Sequence, residues 1–152
     1  MRTHIKELRE TAWKKEWNES PGMRQSKLFL QGPQPEIWKD LKNCNQQQTS
    51  RIVRFLTGHS FMARHNTAVK YKIRGEQADY HEESACRLCA EAEETPEHLI
   101  TNCAMTSWAR QMTFYTMELD SPPQWSKSVK EFANTPAIRK LEDDDSYQTG
   151  GI

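Results

Sequence analysis

The sequence predicts a small, mostly helical domain, and three observations lead to that prediction. Apolar residues make up only 36% of the 152 residues and the mean hydropathy is −0.92, so a thin core needs a further source of stability. Several segments repeat apolar side chains at the spacing of an α-helix. One stretch also carries three cysteines and a histidine at the spacing of a zinc site. We therefore expect a helical domain held together by one structural zinc ion.

In the first half, four helices and one short extended piece are expected. Thr3 is the expected cap of a helix that ends near residue 18, and an extended piece covers residues 27–30. Pro35 suits a first helical position, so a short helix follows over 36–43 with Ile37, Trp38 and Leu41 facing inward. Asn45 or Thr49 begins the next helix, which Gly58 ends. Ser60 is the expected cap of a further helix to about residue 71. Core candidates on the last two helices are Ile52, Val53, Phe55, Leu56, Phe61, Met62, Ala68 and Val69.

In the second half, an irregular stretch over 74–89 precedes shorter helices. Thr95 and Pro96 form an N-cap followed by a first-turn proline, which predicts a helix that carries His98 and Cys103. The next helix contains Trp108, Met112 and Tyr115, and weaker helices follow over 126–133 and from Pro136. The acidic end, 142–152, is expected to be disordered. We divide the chain into a basic helical segment (1–75), a zinc segment with its following helix (76–120) and a weakly helical, then disordered, tail (121–152).

Three cysteines and one histidine form the one group of residues whose spacing indicates a specific chemistry. Cys86 and Cys89 are two residues apart, as in a zinc knuckle, a turn that presents both sulfurs to one ion. His98 and Cys103 follow, and together the four side chains close a tetrahedral Cys3His site with no position left for water. Cysteine-rich ligation favours Zn²⁺ over Mg²⁺ or Ca²⁺. His81 is an alternative ligand, and Arg87 is expected to offset the charge of the thiolates. Cys44 is expected to be an ordinary core or surface residue.

The same motif resembles a known family. Phe55-Leu56-Thr57-Gly58-His59, the Cys86/Cys89 pair, Glu94-Thr95-Pro96-Glu97-His98 and Cys103 are similar to the region that follows the reverse transcriptase and ribonuclease H domains of non-LTR retrotransposons. Trp13, Trp17 and Trp38 resemble the tryptophan-bearing segment before it, so the resemblance covers roughly residues 5–115. It implies that Cys86, Cys89, His98 and Cys103 are the zinc ligands. An element's remnant, a domesticated gene and an excised fragment all remain open.

No catalytic site is predicted. A two-metal nuclease or polymerase centre needs several converging carboxylates, whereas the acidic residues lie mainly in 91–97 and 142–145, which we interpret as solvated runs. His59 is expected to bond backbone at the end of its helix. The sequence also lacks an apolar run near the ~18 residues of a membrane span, and its charged start lacks the apolar stretch of a signal peptide. We expect an intracellular protein, nuclear or cytoplasmic, with no membrane partner and no enzyme activity.

A charge asymmetry suggests the partner. Residues 1–75 contain 15 Lys and Arg and 6 Asp and Glu, which gives a net charge of +9. Residues 76–152 contain 6 Lys and Arg and 15 Asp and Glu, which gives a net charge of −9. A basic half is typical of RNA or DNA binding. The blander interpretations are that the two halves attract each other or that these are solvated helix faces. The candidate phosphate contacts are Lys14, Lys15, Arg24, Lys27, Arg51, Arg54, Arg64, Lys70, Lys72 and Arg74.

Two functions follow from this sequence. The first is a non-catalytic, zinc-stabilised module that binds nucleic acid, in which Trp17, Phe61 or Tyr71 stack on bases unless they belong to the core. The second is a zinc-stabilised protein-interaction module, whose partner is another protein or the remainder of a retroelement polyprotein. Salt dependence separates the two, because phosphate contacts weaken steeply with salt.

Overall fold

The computed structural model describes residues 2–59, 61–75 and 82–149, and within these ranges the protein is mostly helical, as predicted. A single antiparallel bridge between Ala85 and Glu93 is the one β-type pairing in them. None of the described helices combines the length and the apolar character that crossing a bilayer requires. The helices are α1 (Arg2–Glu19), α2 (Arg24–Phe29), α3 (Ile37–Leu41), α4 (Gln46–Thr57), α5 (Ala63–Arg74), α6 (Pro96–Thr101), α7 (Ser107–Phe114), α8 (Lys127–Ala133) and α9 (Pro136–Thr149).

One core joins helices from all three predicted segments. The Phe55 ring of α4 lies 5.7 Å from that of Phe29 in α2 and 5.9 Å from that of Phe132 in α8. All three side chains are fully buried, and aromatic pairs at these separations add to the free energy gained by burial. The other fully buried apolar residues include Ile52, Leu99, Ile100, Cys103, Val129, Ile138 and Leu141.

Local signals place the ends of α4 as predicted. The Asn45 side chain accepts a hydrogen bond from the Gln48 N–H, and Gln48 Oε1 accepts one from the Asn45 N–H, a complete capping box. Gly58 ends the helix in the left-handed region at φ 67°. A Cβ there would lie 2.7 Å from Gln25 Cγ, so glycine is required both by the backbone and by the close approach of α2.

Several local predictions in the first half were wrong. Residues 27–29 belong to the helix α2 rather than to an extended piece, because the Lys27 N–H bonds back to the Met23 carbonyl and Phe29 turns into the core. Short apolar runs do not distinguish a strand from a helix by pattern alone. Thr3 lies inside α1, which begins at Arg2. Ser60 lies outside the described residues, and α5 begins after Met62.

Some predicted core residues lie on the surface. Trp38 is 69% exposed, and Val53 and Val69 are also exposed, whereas Phe61 and Met62 are buried as expected. Trp38 instead faces a cleft of about 610 Å³ between α1 and the Pro33–Pro35 turn, which Trp13 and Trp17 also line. The three tryptophans of the first 40 residues thus line one surface cleft.

The acidic end continues a helix where disorder was expected. α9 runs through Glu142 and the following aspartates to Thr149, and residues 150–152 lie outside the described residues. Leu141 is fully buried, and Glu142 forms ion pairs with α4. The buried Leu141 and the ion-paired Glu142 thus attach this part of α9 to the rest of the fold.

Candidate metal centre

A tight turn brings Cys86 and Cys89 together. The Cys86 N–H bonds to the Ala92 carbonyl at 2.7 Å, which closes the base of the turn beside the Ala85–Glu93 bridge. The Ala90 N–H bonds back to the Cys86 carbonyl at 2.8 Å, with Ala90 in the left-handed region at φ 59°. The described second part of the predicted irregular stretch is therefore a hydrogen-bonded turn that carries Cys86 and Cys89, called here the knuckle turn.

A capped helix supplies His98, and Cys103 lies two residues beyond the end of that helix rather than on it as predicted. The Thr95 hydroxyl accepts a hydrogen bond from the His98 N–H at 3.0 Å, and Pro96 occupies the first turn, as the sequence predicted. His98 therefore lies in the first turn of α6. The helix ends at Thr101. The Cys103 N–H then bonds to the His98 carbonyl at 3.0 Å, which holds Cys103 close to His98.

The four side chains are close enough to hold one metal ion. Their ligand atoms all lie within 4.8 Å of one another. The Cys86 and Cys103 sulfurs are 4.0 Å apart, and the Cys89 sulfur is 3.2 Å from His98 Nε2. A tetrahedral zinc ion separates two sulfurs by about 3.8 Å and a sulfur from a nitrogen by about 3.5 Å. Cys86, His98 and Cys103 are buried and Cys89 is half-buried, so the donor set and its spacing fit an enclosed, structural metal site.

Backbone N–H groups donate to sulfurs of the cluster formed by Cys86, Cys89, His98 and Cys103, called here the metal cluster. The Glu91 N–H donates to the Cys89 sulfur at 3.5 Å. The Cys86 and Cys103 sulfurs are hydrogen-bonded to each other, and either can be the donor. This bond, followed by burial, raises the pKa of Cys86, and the same bond lowers the pKa of Cys103.

His98 is oriented by a residue that the sequence reasoning missed. Its Nδ1 lies 2.9 Å from Asn102 Oδ1, one helical turn further on. An acceptor at this position holds the proton on Nδ1 and leaves Nε2 free for the metal, which is the usual outer-shell arrangement of a metal-binding histidine. A hydrogen-bonding residue four positions after a ligand histidine was the signal that could have found it.

Glu94 and Arg87 attach the knuckle turn to the helices. Glu94 is completely buried; its carboxylate accepts hydrogen bonds from the Arg87 side chain and backbone and from the Ala63 N–H at the start of α5. Arg87 also donates to the carbonyls of Phe61 and Leu141. The expectation that residues 91–97 form a solvated run was therefore wrong at Glu94, and Arg87 pairs with this carboxylate.

A second arginine lies behind the site. Arg110 in α7 is 1% exposed, and its guanidinium donates to the carbonyls of Leu99, Cys103 and Met117 and to the Thr106 hydroxyl. Burial lowers the pKa of Arg110, and the charge of Cys103 and then that of Glu118 act in the opposite direction. The burial of Arg110 could not be recognised from the residues of α7, because nothing in their pattern distinguishes a buried arginine from an exposed one.

The other cysteine and the other histidines considered above either lie away from the metal cluster or fall outside the described residues. His81, the alternative ligand, is outside the described residues. Cys44 is half-buried against the core. His59 Nδ1 lies 3.0 Å from the Thr57 carbonyl, which is the backbone bond expected of it. The His59 ring contacts that of His65 at 5.0 Å, and burial followed by the proximity of His59 lowers the pKa of His65.

Ion pairs with the acidic half engage four of the ten predicted phosphate-binding residues. Arg51 is buried and bonds to Glu142 at 2.5 Å and to Asn134 at 2.9 Å, so its guanidinium is already occupied. Four pairs join the basic half to the acidic half: Arg51–Glu142, Arg54–Glu142, Arg64–Glu93 and Lys70–Glu83. The attraction between the halves, one of the interpretations of the charge asymmetry, is thus present in the structure.

The other predicted cations differ in their surroundings. Lys15 makes a long, exposed contact with Glu19 at 3.9 Å, and the Lys27 ammonium donates to the Ser20 carbonyl. The remaining four are exposed and have no carboxylate oxygen within 4.0 Å in the described part of the chain. They are Lys14, Arg24, Lys72 and Arg74.

Comparisons with known proteins add no relative to this picture. No family model, no curated protein and no solved structure matches the chain. The functional argument therefore rests on the geometry of the metal cluster and on the surfaces around it.

Proposed function

We propose that the protein is a non-catalytic module whose fold is completed by one zinc ion. The observation that carries the proposal is the convergence of Cys86, Cys89, His98 and Cys103 to within 4.8 Å around a thin core. These four donors fill every position of a tetrahedral ion and leave none for a substrate or water, which argues for a structural role. When bound, zinc would cross-link the knuckle turn to α6.

Reversible metal removal tests this part of the proposal. A strong chelator should reduce the helical circular dichroism signal, and stoichiometric Zn²⁺ should restore it, because binding energy at such sites is folding energy. The control is an equal addition of Mg²⁺, which prefers oxygen ligands and should restore nothing. A helical signal that is the same before and after chelation would reject a zinc-dependent fold.

The partner we propose is RNA or DNA, bound through the exposed cations that have no ion-pair partner in the described part of the chain. The last turn of α5 supports this choice. Lys72 and Arg74 are exposed there, and the Tyr71 ring lies about 6 Å from the Lys70 ammonium and the Arg74 guanidinium. A ring flanked by cations suits a phosphate backbone with stacked bases. Phe61 is buried in the core and takes no part. The origin of the chain in a non-LTR retroelement is part of the proposal and rests on the sequence motif.

Salt-dependent binding tests the nucleic-acid proposal. Fluorescence anisotropy with labelled single-stranded RNA and double-stranded DNA gives the slope of log affinity against log salt. The double variant Lys72→Glu with Arg74→Glu should weaken binding and flatten that slope by about 2, one unit per lost phosphate contact. The charge-matched control is Lys127→Glu with Lys140→Glu on the acidic half, which should leave the slope unchanged. Equal slopes for the two double variants would remove α5 from the interface.

A specific surface favours protein interaction as the second candidate. Met105, Trp108, Met112, Tyr115 and Met117 are each 58–87% exposed and follow one another along α7 and its two ends. We call these five residues the apolar stripe. Exposed methionines and aromatics in succession are typical of surfaces that bind other proteins. Affinity for a protein partner bound through this stripe, measured with that partner over the same range of salt, should change little, in contrast to phosphate contacts.

A further inference from the structure

We propose that Arg110 is the internal countercharge of the metal centre and the residue that positions its last ligand. The inference rests on the proposed zinc site, which it deepens by naming the group that makes a buried thiolate centre tolerable. It starts from an observation that the fold alone leaves unexplained: a charged side chain that is 1% exposed.

The surroundings of Arg110 lack the partner that a buried guanidinium normally has. Within the described residues, no carboxylate oxygen lies within 4.0 Å of it, in contrast to Arg51 and Arg87. Its acceptors are three carbonyls and one hydroxyl, all neutral. The Glu118 carboxylate acts on the guanidinium only from beyond ion-pair distance. Hydrogen bonds satisfy the N–H groups, but the charge has no ion-pair partner among the described residues, and burying such a charge is unfavourable.

The metal cluster, when it holds a divalent ion, has an excess of negative charge that complements the positive charge of Arg110. Three thiolates and a neutral imidazole around a divalent ion leave one negative charge in a largely buried site. Arg110 Nη2 donates to the Cys103 carbonyl at 2.8 Å, which places its positive charge beside the backbone of a ligand. The two buried charges therefore offset each other, and each explains why the other is tolerated at low dielectric.

The same side chain fixes the backbone on which two ligands lie. Arg110 Nη1 donates to the Leu99 carbonyl at 3.2 Å, directly after His98, and to Thr106 Oγ1 at 2.7 Å. Thr106 in turn donates to the carbonyls of Leu99 and Cys103. Arg110 thus joins the end of α6 to the segment that carries Cys103, and one residue combines a positioning role with charge balance.

Cobalt substitution separates the charge from the hydrogen bonds. In Co²⁺-loaded protein, the energy of the thiolate-to-cobalt charge-transfer band falls when a positive charge next to a sulfur is removed. Two neutral variants, Arg110→Gln and Arg110→Met, should shift this band to lower energy and lower metal affinity by about 10- to 100-fold in a chelator competition. Arg110→Lys, which keeps the charge, should retain most of the wild-type band position. Ile138→Val at a fully buried position of α9 is the control for lost stability, and its band should not move.

Each outcome has a defined meaning. A wild-type band in a folded neutral variant would overturn the countercharge role and leave Arg110 as a hydrogen-bonding residue. If neither neutral variant folds with metal but Arg110→Lys does, the charge requirement is supported; if all three fail, the inference is overturned. A wild-type protein that gives no tetrahedral Co²⁺ spectrum would instead reject the zinc site itself, so the two failures are distinguishable.

Discussion

Glu94 and Arg87 form an ion pair, with the carboxylate fully buried, that connects the knuckle turn to the helical body. Arg87 Nη2 lies 2.7 Å from Glu94 Oε1, and the exposed fraction of the Glu94 side chain is zero. The same carboxylate accepts the Ala63 N–H at 2.9 Å, so a single side chain fixes the knuckle turn against the start of α5. This contact gives Glu94, a residue of the sequence motif, a structural role beside the ligands.

Removal of the Glu94 carboxylate should therefore be costly. Glu94→Ala removes this carboxylate from Arg87, whose side chain is 25% exposed, and leaves the Ala63 N–H without an acceptor. We expect a loss of about 1.5–3 kcal/mol in the free energy of unfolding. Chemical denaturation of the zinc-loaded protein measures it. Glu91→Ala, at an exposed position of the same turn, is the matched control and should stay within about 0.5 kcal/mol of wild type. Similar losses in both variants would contradict the anchoring role.

Glu142 should stabilise the fold rather than act as a loose tail. Its carboxylate bonds to Arg51, whose side chain is 8% exposed, and to Arg54. Glu142→Gln should lower the free energy of unfolding by about 1.5–3 kcal/mol, the usual worth of hydrogen bonds to a charged group. Glu131→Gln, in an exposed pair with Lys127, should cost under about 1 kcal/mol. If thermal melts show no difference between the two variants, α9 is not held by this contact.

The Asn102 amide should contribute to metal affinity without being a ligand. In Asn102→Ala, His98 Nδ1 loses its acceptor at 2.9 Å, and competition with a chromophoric chelator should show Zn²⁺ affinity about 10-fold or more below wild type. Asn66→Ala, an exposed asparagine of α5, is the comparison substitution. Unchanged affinity in Asn102→Ala would mean that α6 alone orients the imidazole.

Loss of Trp108 should leave the fold intact. The side chain is 66% exposed, so Trp108→Ala should change the free energy of unfolding by about 0.5 kcal/mol or less, whereas Phe132→Ala in the core should cost about 3–5 kcal/mol. If the apolar stripe binds a protein, Trp108→Ala should abolish that binding while the melting temperature holds. A large fall in melting temperature would show that Trp108 packs inside the fold.

The sequence was sufficient for the metal cluster because its determinants are local. Cys86, Cys89, His98 and Cys103 lie within one short stretch, and the Thr95 cap fixes where the helix that carries His98 begins. The caps of α4 at Asn45 and Gly58 were equally readable, since each depends on its own turn. In these places the residue types needed for the geometry stand next to one another in the sequence.

What could not be predicted depends on distant contacts. The burial of Glu94 requires Arg87 and the start of α5, and that of Arg51 requires Glu142, 91 residues away. Trp38 and Val53 sit at positions whose apolar pattern predicts burial, but the thin core leaves them outside. Charge and hydropathy along the chain do not specify which helices meet, so they could not separate a phosphate-binding arginine from a structural one.

Native mass spectrometry of protein purified without chelator tests the central claim most directly. We expect a mass increase equal to one zinc ion per chain, in a fraction near unity, and Cys89→Ser should lose the ion. Cys44→Ser, the fourth cysteine and no part of the metal cluster, should retain it. A wild-type chain that carries no metal, or equal zinc content in Cys89→Ser and wild type, would contradict the assignment of Cys86, Cys89, His98 and Cys103 as a structural zinc site.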